Sequence, residues 1–230
     1  MKIAVLNFSG NVGKSTISRH LLSPRLNNAR VISVESINDN GASEASIRGK
    51  QYGELSEALA VLDDVVVDIG SSNVEELMHR MKQFHGSHDD FDFFVVPTIS
   101  KVKVQRDTVA TIEELAETGV PPSKIRLVFN MVEHDEEPNA VFSGIHEYHA
   151  THGKFELRED AVIRTSELYA RLRESERSIA EILDDRTDYK ALLKEASSEK
   201  RLLLGRSLST LRLATGVKAE LDDIFAILLS

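Results

Sequence analysis

The residues best suited to phosphate chemistry lie close together near the start of the chain. Gly10, Gly13, Lys14 and Ser15 directly follow the apolar run Ile3, Ala4, Val5, Leu6, and Lys14 to Leu22 carries a helical pattern. A small-residue turn between a buried strand and a helix can curl successive backbone N–H groups around an anion, helped by the positive end of the helix dipole. Ser9, Gly10, Asn11, Val12, Gly13, Lys14, Ser15 and Thr16 would line such a cradle, with the Lys14 ammonium on the outer phosphates and the Ser15 hydroxyl on a Mg²⁺ ion. The match to G-x-x-x-x-G-K-[ST] is partial. Phe8 stands where the first glycine belongs, while Gly13-Lys14-Ser15 is intact. A bare G-K-S fits an ordinary tight turn as well; the strand before it and the helix after it favour nucleotide binding.

Other chemistry-bearing residues must be sought at strand ends, because an open parallel sheet binds its ligand there. Asp68 closes the run Val65-Val66-Val67 and is placed to hold a Mg²⁺-bound water. Glu35 closes an earlier strand and is a polar group at its carboxyl end. Pro97-Thr98 and Asn130 end two later strands, and the Asn130 amide could meet a purine base. The Asn130 to Glu133 spacing imitates the guanine-reading N-K-x-D pattern, but Met131 replaces the lysine, which weakens the guanine case and leaves GTP open.

The elements that position these residues alternate regularly. Strands are expected at 29–35, 64–68, 91–97 and 124–130 in addition to the first, and helices at 53–62, 73–83 and 104–118, the last with Val109, Ile112 and Leu115 on one face. Short apolar strands alternating with amphipathic helices specify a doubly wound α/β domain with a mostly parallel sheet. Residues 36–49 are polar and Gly-containing, as a loop beside a phosphate site would be. Beyond Glu133 the pattern weakens: 140–151 reads as helix, 155–157 with 161–163 as short edge strands, 166–183 as one helix, and 189–229 as helix broken at Gly205 and Gly216. The division expected is a nucleotide-binding core over 1–165 and a C-terminal helical extension over 166–230.

Composition narrows the function classes. With no cysteine among 230 residues, disulfides, thiol catalysis and Cys-based zinc sites are excluded. The chain opens on a strand pattern and carries no apolar run long enough to span a bilayer, so the expectation is a cytoplasmic protein without a transmembrane segment. A net charge of −9 argues against a protein that coats nucleic acid with its whole surface. Residues 190–218 run against that balance: Lys190, Lys194, Lys200, Arg201, Arg206, Arg212 and Lys218 face only Glu195 and Glu199, a local +5. That stretch is the candidate for direct DNA or phospholipid contact, with a solvated helix face as the alternative. Leu221, Ile224, Phe225 and Leu228 share one face of the last helix, which either docks on the domain or lies on a membrane surface. His146, His149 and His152 sit at three-residue spacing and His146 could meet His149 on one helix face, but Thr151-His152-Gly153 reads as a helix end, so no third ligand is specified and a solvated polar face is the better reading.

Taken together, Phe8-Ser9-Gly10-Asn11-Val12-Gly13-Lys14-Ser15-Thr16, Val66-Val67-Asp68-Ile69-Gly70-Ser71-Ser72 and Val128-Phe129-Asn130 resemble the ParA/MinD group of P-loop ATPases, most of all the StbB-type plasmid stability proteins. The resemblance covers roughly 1–165. It implies an ATP- and Mg²⁺-dependent switch whose protomers form a homodimer or higher assembly, engage DNA or a DNA-binding adaptor, and separate after hydrolysis in plasmid partition or positioning. Departures are visible. The group's extra lysine, which reaches the partner's nucleotide, is Ser9 here; the usual D-x-D after the second strand reads Glu35-Ser36-Ile37; and Gly70 and Ser71 replace prolines. A hydroxyl does not neutralise a phosphate, so weak ATPase activity is expected, with Lys14, Asp68, Glu35 and Asp39 as the catalytic candidates. Two alternatives stay open: a hydrolysis-deficient nucleotide-binding scaffold, and a small-molecule ligase of the same fold, similar to dethiobiotin synthetase.

Overall fold

The computed structural model describes residues 1–35, 46–48 and 52–230. The chain divides into two compact units, one formed by 1–164 with 224–230 and the other by 165–223.

In the first unit, β1 (Lys2–Val5) is followed by α1 (Lys14–Thr16), which continues through the wider turns of Ile17–Leu22, where the Ser23 N–H reaches back to the Ser18 carbonyl. Then come β2 (Arg30–Glu35), β3 (Ser46–Arg48), α2 (Tyr52–Val61), β4 (Val65–Ile69), α3 (Val74–Gln83) and β5 (Phe93–Thr98). The unit continues with α4 (Val102–Glu117), β6 (Ile125–Val132), α5 (Pro138–Val141), α6 (Ser143–His152) and β7 (Val162–Arg164). The seven strands are ordered β3-β2-β4-β1-β5-β6-β7, and every pairing is parallel. This is the doubly wound sheet that the alternating pattern specifies. Continuous apolar runs form its middle because helices cover both faces: all of β4 is buried, as are Ile3, Ala4 and Val5 of β1. Burial on that scale stabilises the centre by about 25 cal/mol for each Å² of apolar surface removed from water, an upper figure.

One expectation is corrected and two are refined. The stretch expected as an irregular loop contains β3, whose backbone pairs Ser33 with Ser46 and Glu35 with Arg48. The face of α4 is broader than the apolar pattern suggests: Thr108 and Thr111 are buried beside Ile112 and Leu115, and Val109 packs partly buried against the core. The short edge segments are present as β7 and a single bridge between Arg126 and Glu156.

The second unit holds α7 (Glu167–Ser175), α8 (Ile179–Leu183), α9 (Tyr189–Glu195) and most of α10 (Ser198–Leu228). Residues 166–183 are two helices rather than one, because Glu176 adopts φ 53° and Ser178 with Glu181 closes a reciprocal capping box. Conversely, α10 runs unbroken through Gly205 and Gly216. Each glycine costs a helix about 1 kcal/mol relative to alanine, which 31 residues rich in Leu, Arg, Lys and Ala absorb.

The end of α10 belongs to the sheet unit. Ile224 and Leu228 are buried, Arg126 Nε donates to the Leu228 carbonyl at 2.9 Å, and an Arg158 guanidinium nitrogen donates to Ser230 O at 2.9 Å. Arg126 also lies 4.8 Å over the Phe93 ring and donates to Ser123 O at 2.6 Å. The apolar stripe at the C-terminus therefore docks on the domain at these two positions. No helix among the described residues is long and apolar enough to cross a membrane.

Candidate phosphate site

The site begins where β1 runs out. Val5 sits in register with Asp68 of β4, so the first loop and Asp68 lie side by side at the carboxyl end of the sheet. Gly13 at φ 86° and Asn11 at φ 58° are both left-handed, and alternating left-handed residues turn consecutive N–H groups toward one point. The first turn of a helix leaves its N–H groups without intrahelical acceptors, so those following Gly13 continue the same concave surface. The apolar Val12 side chain is buried with Ile99 and Val104 and pins the loop between its polar neighbours.

Lys14 is 8% exposed and folds over the loop, donating to the Ser9 carbonyl at 2.9 Å and more weakly to that of Asn7 at 3.4 Å. Burial pulls its pKa below the ordinary lysine value, and the Asp68 charge partly offsets that pull. An ammonium held by two carbonyls in a confined site, with the Asp68 charge acting on it, is poised to exchange them for a phosphate oxygen. Asp68 is 6% exposed. The Ser15 hydroxyl is exposed at the start of the helix, and with Asp68 at the adjacent strand end these are the two groups that would hold Mg²⁺. The donor set fits a triphosphate and its cation: a left-handed cradle, one cation beside it, and a hydroxyl and a carboxylate for the metal.

Two residues behave differently from the expectation. Ser9 Oγ is turned away from the cradle and donates to Asp107 Oδ2 on α4 at 2.5 Å, where the Lys103 ammonium also binds at 2.8 Å. These bonds hold the Asp107 carboxyl below the usual carboxylate range, the Lys103 bond contributing most and the Ser9 bond next. The Asn130 side chain, expected at a base, donates through Nδ2 to the Val12 carbonyl at 2.8 Å. Thr16 is half-buried in the helix. Gly10 passes close to the turn after β4, where an added Cβ would lie 3.4 Å from Ser71 Oγ. Glu35 is placed by its backbone at the end of β2; its side chain, Ile37 and Asp39 lie outside the described residues.

Sequence reasoning missed the residues that hold the first half of the loop. Asn7 is fully buried; its Nδ2 donates to Pro97 O at 2.9 Å and Thr108 Oγ1 at 2.8 Å, and its Oδ1 accepts from Ser9 N at 2.7 Å. Thr111 Oγ1 accepts from Phe8 N at 3.1 Å. Asp107, Thr108 and Thr111 thus form a polar face of α4 built against the loop. The available signal was an asparagine directly after an apolar strand, together with threonines at helical spacing. Among the described residues no cluster of three or more His, Asp or Glu could hold a metal. The histidines of α6 are packing partners instead, with His146 stacked on Phe129 and His149 edge-on to Phe155.

A parallel sheet carrying a Gly-Lys-Ser loop at the carboxyl end of its central strand defines a P-loop nucleotide-binding protein. Residues 3–179 match the model of the CobQ/CobB/MinD/ParA nucleotide binding domain, and the chain belongs to that family. Among solved structures it is similar to pNOB8 ParA (TM-score 0.52, 12% identity, covering 98% of each chain). It is also similar to a structure from Borrelia burgdorferi B31 described as a plasmid partition protein bound to AMPPNP (0.51, 11%, 98% of each chain). A third is apo McdA from Cyanothece (0.50, 11%, 94% of this chain and 98% of that one). At such identities the likeness is one of fold. No curated protein sequence matches the chain.

Proposed function

We propose that this protein is an ATP-dependent switch of the StbB type, acting in plasmid stability, partition or positioning together with a DNA-binding adaptor, as a homodimer or higher assembly. The observation that carries the reading is the buried Lys14 ammonium, held over a left-handed loop by backbone carbonyls and opposed by Asp68. In this reading the loop N–H groups bind the phosphates, Lys14 neutralises the outer ones, and Ser15 and Asp68 hold Mg²⁺. Bound Mg²⁺ would supply charge neutralisation of the triphosphate. Glu35 and Asp39 are the candidates for orienting water.

Hydrolysis is proposed to be slow, because positioning and charge neutralisation supply most of the catalysis in phosphoryl transfer. Ser9 contributes no cation and is tied to Asp107, which favours, as a second reading, an assembly scaffold that binds nucleotide without efficient cleavage. The exposed basic side chains of 190–218 are proposed to contact DNA through its phosphates. Sedimentation of the purified protein without nucleotide, with ADP and with ATP, each with and without duplex DNA, tests the proposal. The expected result is a heavier species with ATP that binds DNA more tightly; sedimentation indifferent to nucleotide contradicts it. Hydrolysis followed in parallel separates switch from scaffold.

A further inference from the structure

The end of β6 departs from regular strand geometry at the point where it meets the phosphate loop. The pairing of β6 with β7 shifts register between Phe129 and Val132, and within that shift Met131 adopts φ 54°, a left-handed conformation that is strained for a residue with a side chain. Asn130, immediately before it, is 4% exposed and donates Nδ2 to the Val12 carbonyl at 2.8 Å, joining residues 118 apart in sequence. The approach is close on both sides: a Cβ built on Gly13 would lie 2.1 Å from Asn130 Nδ2 and 3.6 Å from the Met131 methyl carbon.

The peptide unit whose carbonyl Asn130 holds is the one whose N–H belongs to Gly13. Fixing that carbonyl therefore fixes the direction of the Gly13 N–H, and through it the start of the helix that carries Lys14 and Ser15. A hydrogen bond in a confined site contributes most when the group it orients would otherwise sample several directions.

We propose that Asn130 is a positioning residue of the phosphate loop, acting through Val12 and Gly13 on the polyphosphate and not on the base. This rests on the reading that 9–16 bind phosphate. Its consequence is that removing the Asn130 amide weakens every ligand that carries the same phosphates by the same factor, whatever base is attached.

The test titrates the full chain and its Asn130→Ala and Asn130→Asp variants with ATP, GTP and inorganic tripolyphosphate, all with Mg²⁺. Wild type is expected to bind all three. Asn130→Ala is expected to lose about tenfold in affinity for each, equally within twofold, and the near-isosteric Asn130→Asp, which sets a carboxylate oxygen against the Val12 carbonyl, is expected to lose more. At saturating tripolyphosphate, the ³¹P resonance of the bound central phosphorus should move in Asn130→Ala, reporting a reshaped cradle; a role in general stability would lower affinity and leave that resonance in place. Loss confined to ATP would make Asn130 a base reader and overturn the proposal. Undiminished affinity in Asn130→Asp, or an unmoved resonance, would overturn it too. If wild type binds none of the three ligands, the phosphate-site reading itself falls, and this inference falls with it.

Discussion

The two halves of the first loop follow different rules. Gly13-Lys14-Ser15 keeps what a phosphate site requires, with a left-handed glycine packed under Asn130, a buried ammonium and an exposed hydroxyl. Phe8-Ser9 does not. The Phe8 side chain packs against the core, its N–H is capped by Thr111, and the Ser9 hydroxyl is spent on Asp107. The first half has become part of the α4 interface while the second half keeps its ligand-facing geometry. On the proposed reading, binding and rapid turnover are separable, since the loop has a cradle and one cation but lacks a second cation.

Substitutions can break or sharpen this contrast. Lys14→Ala should lower ATP affinity by at least about 100-fold, because a charge-assisted contact to phosphate disappears in a confined site, while Ser9→Ala should change it by less than about threefold. Isothermal titration of both variants measures the pair. Equal losses would erase the distinction between the two halves.

Gly13→Ala should cost about 2–3 kcal/mol of stability, combining a Cβ only 2.1 Å from Asn130 Nδ2 with a φ of 86° that suits glycine. Gly10→Ala meets nothing nearer than Ser71 Oγ at 3.4 Å and should cost less than about 1 kcal/mol. Urea unfolding of the two variants ranks them.

A lysine at position 9 restores a cation only if it is not captured by the neighbouring carboxylate. Ser9→Lys combined with Asp107→Ala should raise ATP turnover about tenfold in a phosphate-release assay, and Ser9→Lys alone should raise it less, since Asp107 would pair with the new ammonium.

The smallest effect is that of pH. Burial sets the Lys14 pKa below the ordinary 10.5, and only the protonated form neutralises phosphate, so affinity should fall as pH rises through the depressed value, before an exposed lysine would titrate. A titration series from neutral to alkaline pH should show this decline in wild type, and it should be missing from whatever affinity Lys14→Ala retains.

Much of this was legible in the residue pattern, for reasons that differ by element. Val65-Val66-Val67 and Phe94-Val95-Val96 read as buried strands because both faces of a parallel sheet are covered, and Asp68 stood out as the carboxylate closing such a run. The left-handed loop that leads into Lys14 and Ser15 was legible because it is local, formed by consecutive backbone. Asn7, Asp107, Thr108 and Thr111 were not, because their bonds span about a hundred residues and depend on how α4 turns its face to β1. The Asn130 contact with Val12 hid for the same reason, as its strand-end position suggested a ligand where the fold supplies a backbone carbonyl. The unbroken passage of α10 through Gly205 and Gly216 illustrates the converse error, a local signal outweighed by the length of its helix.

A crystal structure with ATP and Mg²⁺ tests the central claim most directly. The β-phosphate is predicted within hydrogen-bonding distance of the Gly13, Lys14 and Ser15 N–H groups, with the Lys14 ammonium moved from the Ser9 carbonyl to the outer phosphates and Ser9 still bound to Asp107. A triphosphate lodged elsewhere on the molecule, with Lys14 still on the Ser9 carbonyl, would contradict it.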